Sequence, residues 1–179
     1  EATEGRFKQL AGDFRVLHLA THGYFNEANP LMSGLELESD RDEDGMLRVH
    51  EILDLPLRAD LVTLSACDTA LGSGYFAELP VGDEFVGLNR AFLAAGSVAV
   101  MATLWQVDDR ASVSLMKQFY GRLRAAGEAP DAASALVFAQ RALRGSRELA
   151  HPYYWAAYVV VGRVDSGLEI ERLSSGRTS

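Results

Sequence analysis

The sequence predicts an α/β protein whose mostly parallel sheet is covered by helices on both faces. Three observations carry that prediction. Short apolar runs recur at residues 15–20, 60–64, 96–102 and 156–162, the pattern of strands buried on both sides. Helical periodicities lie between the later runs, so strand and helix alternate as they do in parallel sheets. Finally, three of the strands run straight into chemically capable residues. Thr21-His22-Gly23 follows the first, Ser65-Ala66-Cys67-Asp68-Thr69 the second, and Leu104-Trp105-Gln106-Val107-Asp108-Asp109 the third. In an open parallel sheet the carboxyl ends of the strands form the edge where ligands bind.

Each element has a local reason. Residues 2–10 favour a helix, with Phe7 and Leu10 at helical spacing, and Gly12-Asp13 breaks it before the first strand. The stretch 24–30 reads as a loop because Asn26, Asn29 and Pro30 are turn formers. Residues 32–38 partly alternate, which suggests a short exposed strand or hairpin arm. A charged turn, Asp40-Arg41-Asp42-Glu43-Asp44-Gly45, comes next. Together with Glu51 it formally completes the calcium-loop spacing D-x-D-x-D-G-x5-E, but no entering helix precedes it, so a solvated turn is the expected role. Residues 49–55 read as a short helix with Ile52 and Leu53 inward, stopped by Pro56. Asp83 is expected to cap a helix presenting Phe85, Leu88, Phe92 and Leu93, and Gly96 to end it. Asp108 or Asp109 caps a long helix presenting Leu115, Met116, Phe119 and Leu123. Pro130-Asp131 opens one more helix, carrying Leu136, Ala139 and Leu143. His151-Pro152 leads into the last buried strand.

Composition narrows the functional classes. The net charge is −8 and no Lys/Arg-rich run exists, so no nucleic-acid signature and no anionic-membrane surface is advertised. No apolar run reaches transmembrane length. A single cysteine supports no internal disulfide and fits a reducing, cytoplasmic setting. One cysteine and 4 scattered histidines also supply no metal-ligand set, and no other cofactor is expected. Gly72-Ser73-Gly74 lacks the lysine and helix start of a phosphate loop, which argues against a nucleotide-binding domain.

Cys67 is the residue with the most chemical potential. A lone cysteine at a strand end is commonly a small buried hydrophobe. Here a histidine ends a comparable strand about 45 residues upstream, and long glycine-bearing loops follow both. A thiol and an imidazole held on neighbouring strand ends make a nucleophile and a general base. Trp105 is read as core rather than as an aromatic clamp.

Leu17-His18-Leu19-Ala20-Thr21-His22-Gly23 and Leu61-Val62-Thr63-Leu64-Ser65-Ala66-Cys67-Asp68-Thr69 closely resemble the two signature segments of the CHAT domain family. These are caspase-like cysteine peptidases related to separase and often fused to tetratricopeptide repeats. The resemblance extends through Gly45-Met46-Leu47, residues 87–96, Leu104-Trp105-Gln106-Val107-Asp108-Asp109 and His151-Pro152. It implies a caspase-like sheet over residues 1–165 with a peripheral tail at 166–179, an early strand and helix of the family fold lying before residue 1. It implies a Cys67–His22 dyad acting on a protein substrate, with backbone N–H groups of Gly23 and Cys67 as the oxyanion hole. It also implies that Asp109, with Asp108 close by, lines a pocket for a basic residue before the scissile bond; Asp68 also lies within reach of the site. A tetratricopeptide-repeat region in the full-length chain or complex is the implied partner. The competing reading is a catalytically silent signalling or scaffold domain of the same fold.

Overall fold

The structure, a computed structural model, describes residues 2–26, 28–65, 83–125 and 131–163, with 83–86 as backbone only. In chain order it contains α1 (Glu4–Leu10), β1 (Val16–Leu19), β2 (Gly23–Tyr24), β3 (Gly34–Glu36), β4 (Met46–Arg48) and α2 (Val49–Leu53). There follow β5 (Leu61–Leu64), α3 (Asp83–Ala94), β6 (Ala99–Thr103), α4 (Asp109–Ala125), α5 (Ala132–Arg144) and β7 (Tyr158–Gly162).

The central sheet has the order β1-β5-β6-β7, and a small antiparallel sheet has the order β2-β3-β4. β1, β5 and β6 run parallel, with Leu19 opposite Leu64 and Thr63 opposite Met101. β7 returns antiparallel against β6. All four residues of β5 are buried, as its central place requires. Alternate strand residues feed two cores. Leu17, Leu19, Val62, Leu64, Val100 and Ala102 pack with Ile52 of α2, Leu88 and Phe92 of α3, and Leu35 and Leu47 of the small sheet. Leu61, Ala99, Met101 and Tyr158 pack with Leu115 and Phe119 of α4 and with Leu136, Ala139 and Leu143 of α5. Helices therefore cover both faces of a mostly parallel sheet.

Gly96 shows why the α3–β6 corner needs glycine. Its φ is +113°, and a Cβ there would collide with the Leu57 carbonyl.

Local expectations are corrected at four places. Residues 24–30 are not loop throughout, because Gly23–Tyr24 pairs with β3. The arm at 32–38 is not exposed along its length: Gly34 and Leu35 are buried beneath the small sheet's own packing. α2 ends at Leu53 rather than Leu55, and Leu53 points outward. Val49 and Ile52, three residues apart, share its inner face instead. Trp105, expected in the core, is 37% exposed, its indole N–H held at the rim by the Tyr153 carbonyl, as described below.

Candidate functional site

The carboxyl ends of β1, β5 and β6 lie at one edge of the sheet. The parallel ladder continues one residue past β5, where the Ser65 N–H donates to the Leu19 carbonyl at 2.8 Å. The chain thus leaves β5 beside the exit of β1, which leads to His22 and Gly23. Cys67 and Asp68, the residues that follow on the β5 side, lie outside the described residues.

His22 is exposed at the start of the small sheet. Its carbonyl accepts the Glu36 N–H at 2.8 Å, and the Thr21 hydroxyl donates to the Glu36 carbonyl, so the turn carrying the imidazole is tied to β3 on both sides. Antiparallel pairs alternate between bonded and non-bonded positions. With His22 opposite Glu36 bonded, Gly23 opposite Leu35 falls at a non-bonded position. Its N–H is directed away from β3, and β2 is the edge of its sheet.

On the β6 side the two aspartates divide. The Asp108 carboxylate accepts the N–H groups of Arg110 at 3.0 Å and Ala111 at 3.1 Å, which makes it the cap of α4. Its carbonyl takes the Ser112 N–H at 2.9 Å. Asp109 is the first helical residue and is exposed, next to the positive end of the helix dipole. Val107 is buried and anchors the loop between them and Trp105. The Trp105 indole N–H donates to the Tyr153 carbonyl at 3.1 Å, while the Trp155 indole N–H donates to the Ala150 carbonyl at 3.1 Å.

The acidic turn is engaged elsewhere. Asp40 accepts the backbone N–H groups of Gly5, Asp42 and Glu43, each at 3.1 Å. The N–H of Asp42 above all holds its carboxyl below the ordinary range. Asp44 grips the Arg48 guanidinium with both oxygens, and that grip lowers its pKa. Glu51 accepts the Arg48 N–H and the Lys8 ammonium, each at 2.7 Å. Of the acids in the calcium-loop spacing, Asp40, Asp44 and Glu51 are thus each engaged with backbone N–H groups or with cations of the protein itself.

Glu4, Glu43 and Glu51 do approach one another closely, with ligand atoms within 4.8 Å. The Lys8 ammonium stands among them, 2.7 Å from Glu4, 2.8 Å from Glu43 and 2.7 Å from Glu51. Burial opposes the charge on Lys8, but the three carboxylates outweigh it and raise its pKa. Burial likewise works against the Glu51 charge, and the Lys8 bond overcomes it to lower the pKa. Glu4 is fully buried; its second oxygen accepts the Gly45 N–H at 2.8 Å.

One polar chain was not foreseen from the sequence. His18 Nδ1 lies 2.8 Å from the Tyr120 hydroxyl, which lies 2.9 Å from the Thr63 hydroxyl. His18 and Thr63 are registered partners on β1 and β5, and α4 brings Tyr120 to them. Burial lowers the His18 pKa and raises that of Tyr120. The available signal was a histidine and a threonine in otherwise apolar strands.

A CHAT domain model matches residues 1–163, and the chain belongs to the CHAT domain family. Tetratricopeptide repeat protein 28 of Mus musculus is 33% identical over 117 residues, covering 65% of this chain. Its Homo sapiens counterpart is 33% identical over 118 residues, again 65% of this chain. The chain spans 4% of the length of each of these relatives. Among the described residues, no helix is long and apolar enough to cross a membrane.

Proposed function

We propose that this domain is a cysteine endopeptidase of caspase-like type, cutting a partner protein through a Cys67–His22 dyad. The observation that carries the reading is the parallel register of β1 and β5. Leu19 faces Leu64, and each strand reaches its reactive residue three positions further on, His22 on one side and Cys67 on the other. The Cys67 thiolate attacks the scissile carbonyl carbon, and His22 protonates the departing amine as the C–N bond breaks. Water then hydrolyses the thioester. Gly23 N–H, turned away from β3, and the N–H of Cys67 stabilise the oxyanion. With Asp108 engaged as a cap, Asp109 is the carboxylate assigned to a basic residue before the cut. Asp68 stands as a further acidic neighbour. The names of the relatives favour a tetratricopeptide-repeat region as the regulatory partner, and the single cysteine favours a cytoplasmic setting.

The test uses peptidyl chloromethyl ketones ending in Arg, Leu or Asp, read by intact mass on the full-length protein. The expected result is an adduct at Cys67 that prefers Arg and disappears in Cys67→Ala and His22→Ala. Alkylation by iodoacetamide with no peptide adduct would favour the second reading, a silent signalling or scaffold domain.

A further inference from the structure

The rim that carries Asp109 also carries apolar surface that the dyad does not use. Leu104 and Trp105 leave the end of β6, each 37% exposed, and Tyr153 beside them is 46% exposed. These are large side chains left at the edge where the sheet's chemistry is assembled, not scattered singly over the surface. The backbone beneath them is held. Leu104 N–H donates to the Ala157 carbonyl at 2.9 Å, which extends the β6–β7 pairing past the strand end. The Trp105 indole N–H donates to the Tyr153 carbonyl at 3.1 Å, which holds the ring at the rim. That bond brings the indole edge against the backbone of Tyr153. The Tyr153 ring is set in turn by an edge contact with Tyr154, centroids 5.5 Å apart. The buried Val107 then carries the chain from this surface to Asp108 and Asp109 within four residues of Trp105.

We propose that Leu104, Trp105 and Tyr153 form an apolar shelf that receives a large hydrophobic side chain of the peptide, next to the basic residue held by Asp109. This rests on the peptidase reading and adds a second determinant to it. Its occupant is a substrate side chain because the shelf is continuous with the candidate site along one short loop. A pre-held apolar surface beside a carboxylate recognises a basic residue flanked by an apolar one. Ordering costs are small on such a surface, since the protein side is already fixed.

Two uncleavable reduced-amide peptides, identical except for Leu or Gly beside the Arg, distinguish the outcomes by fluorescence anisotropy on the full-length protein. The Leu peptide is expected to bind about tenfold tighter, the order of one leucine side chain taken from water. Leu104→Ser and Tyr153→Ser should each shrink that ratio below about threefold while leaving the Gly peptide's affinity unchanged. Tyr153→Ser keeps the backbone carbonyl that holds the indole, so it separates the shelf from the fold. Equal affinities for the two peptides in the unaltered protein would overturn the shelf, as would a Leu preference that survives both substitutions. Cleavage of Arg peptides with no Leu preference would overturn the shelf and leave the peptidase. A Leu preference without any cleavage would uphold the shelf and remove the peptidase.

Discussion

The two flanks of the central sheet are held by different physics. The α4–α5 flank is apolar: Leu115, Phe119, Leu136, Ala139 and Leu143 close over Met101 and Tyr158 with few charges involved. On the other flank the small sheet shares an apolar core with α2 and α3, and its outer connection to α1 adds an ionic cluster to backbone hydrogen bonds. There Lys8 gathers carboxylates from α1, the acidic turn and α2. Apolar packing is non-directional and tolerates small adjustments. A four-group charge cluster is less forgiving, because removing Lys8 takes the cation away from the fully buried Glu4. The flank that positions His22 and Gly23 is therefore the one whose geometry is specified by charge.

Truncating the apolar flank should cost most. Phe119→Ala removes a fully buried ring and is expected to lower stability by about 3–5 kcal/mol in denaturant unfolding. Equal loss from an exposed control such as Val113→Ala would break the comparison. Lys8→Met should cost less, about 2–3 kcal/mol, since Lys8 is one-fifth exposed while Glu4 is fully buried. That variant leaves three carboxylates facing one another, so its loss should shrink in acid, where they are protonated. The unaltered protein behaves in the opposite sense. Glu51 and Asp44 titrate below their unfolded values, so their contribution is present above about pH 4.5 and is lost as the pH falls further. Thermal unfolding from pH 6 to 3 on both proteins reads the two slopes.

The helix cap offers a smaller test. Asp108→Ala removes the acceptor for two N–H groups and should cost about 1 kcal/mol. Asp109→Ala should leave stability nearly unchanged while reducing adduct formation by the Arg probe. A stability loss at Asp109 equal to that at Asp108 would reverse the division of labour. The smallest effect is expected at His18. Its pKa is lowered on folding, so its contribution holds above the ordinary value of 6.5 and weakens as the pH drops through it. His18→Gln should flatten the pH dependence of the melting temperature between pH 7 and 5.5. An unchanged slope would show that burial of His18 does not govern that dependence.

Much of this architecture could be read from residue patterns. Continuous apolar runs such as Leu61–Leu64 announce strands buried on both faces, and Gly96 and Asp131 mark helix ends through conformations and caps that are local. The small sheet was less legible because β2 is only two residues long, too short for any periodicity. Leu53 was misplaced because a five-residue helix gives no second turn against which to judge its face. The ionic cluster was invisible for another reason. Lys8 and Glu51 are 43 positions apart, and nothing in the spacing of charges reveals which will meet. The same holds for Trp105, whose partner Tyr153 lies 48 positions further along the chain. At the candidate site, His22 and Cys67 stood out because strand ends are local features, whereas the choice between Asp108 and Asp109 needed the cap to be seen.

The first turn of the chain is stitched to the small sheet like a handle to a blade. Glu38 donates to the Ala2 carbonyl and its own carbonyl accepts from Glu4, while Asp40 takes the Gly5 N–H. Glu38 lies two residues beyond the end of β3, and β3 is the strand that braces β2. A tug on residue 2 is therefore felt first at Glu38 and next at the pairing of Gly23 with Leu35. Force applied at that end has a route to the histidine turn along β3 and its Glu36–His22 backbone bond, apart from the Lys8 cluster.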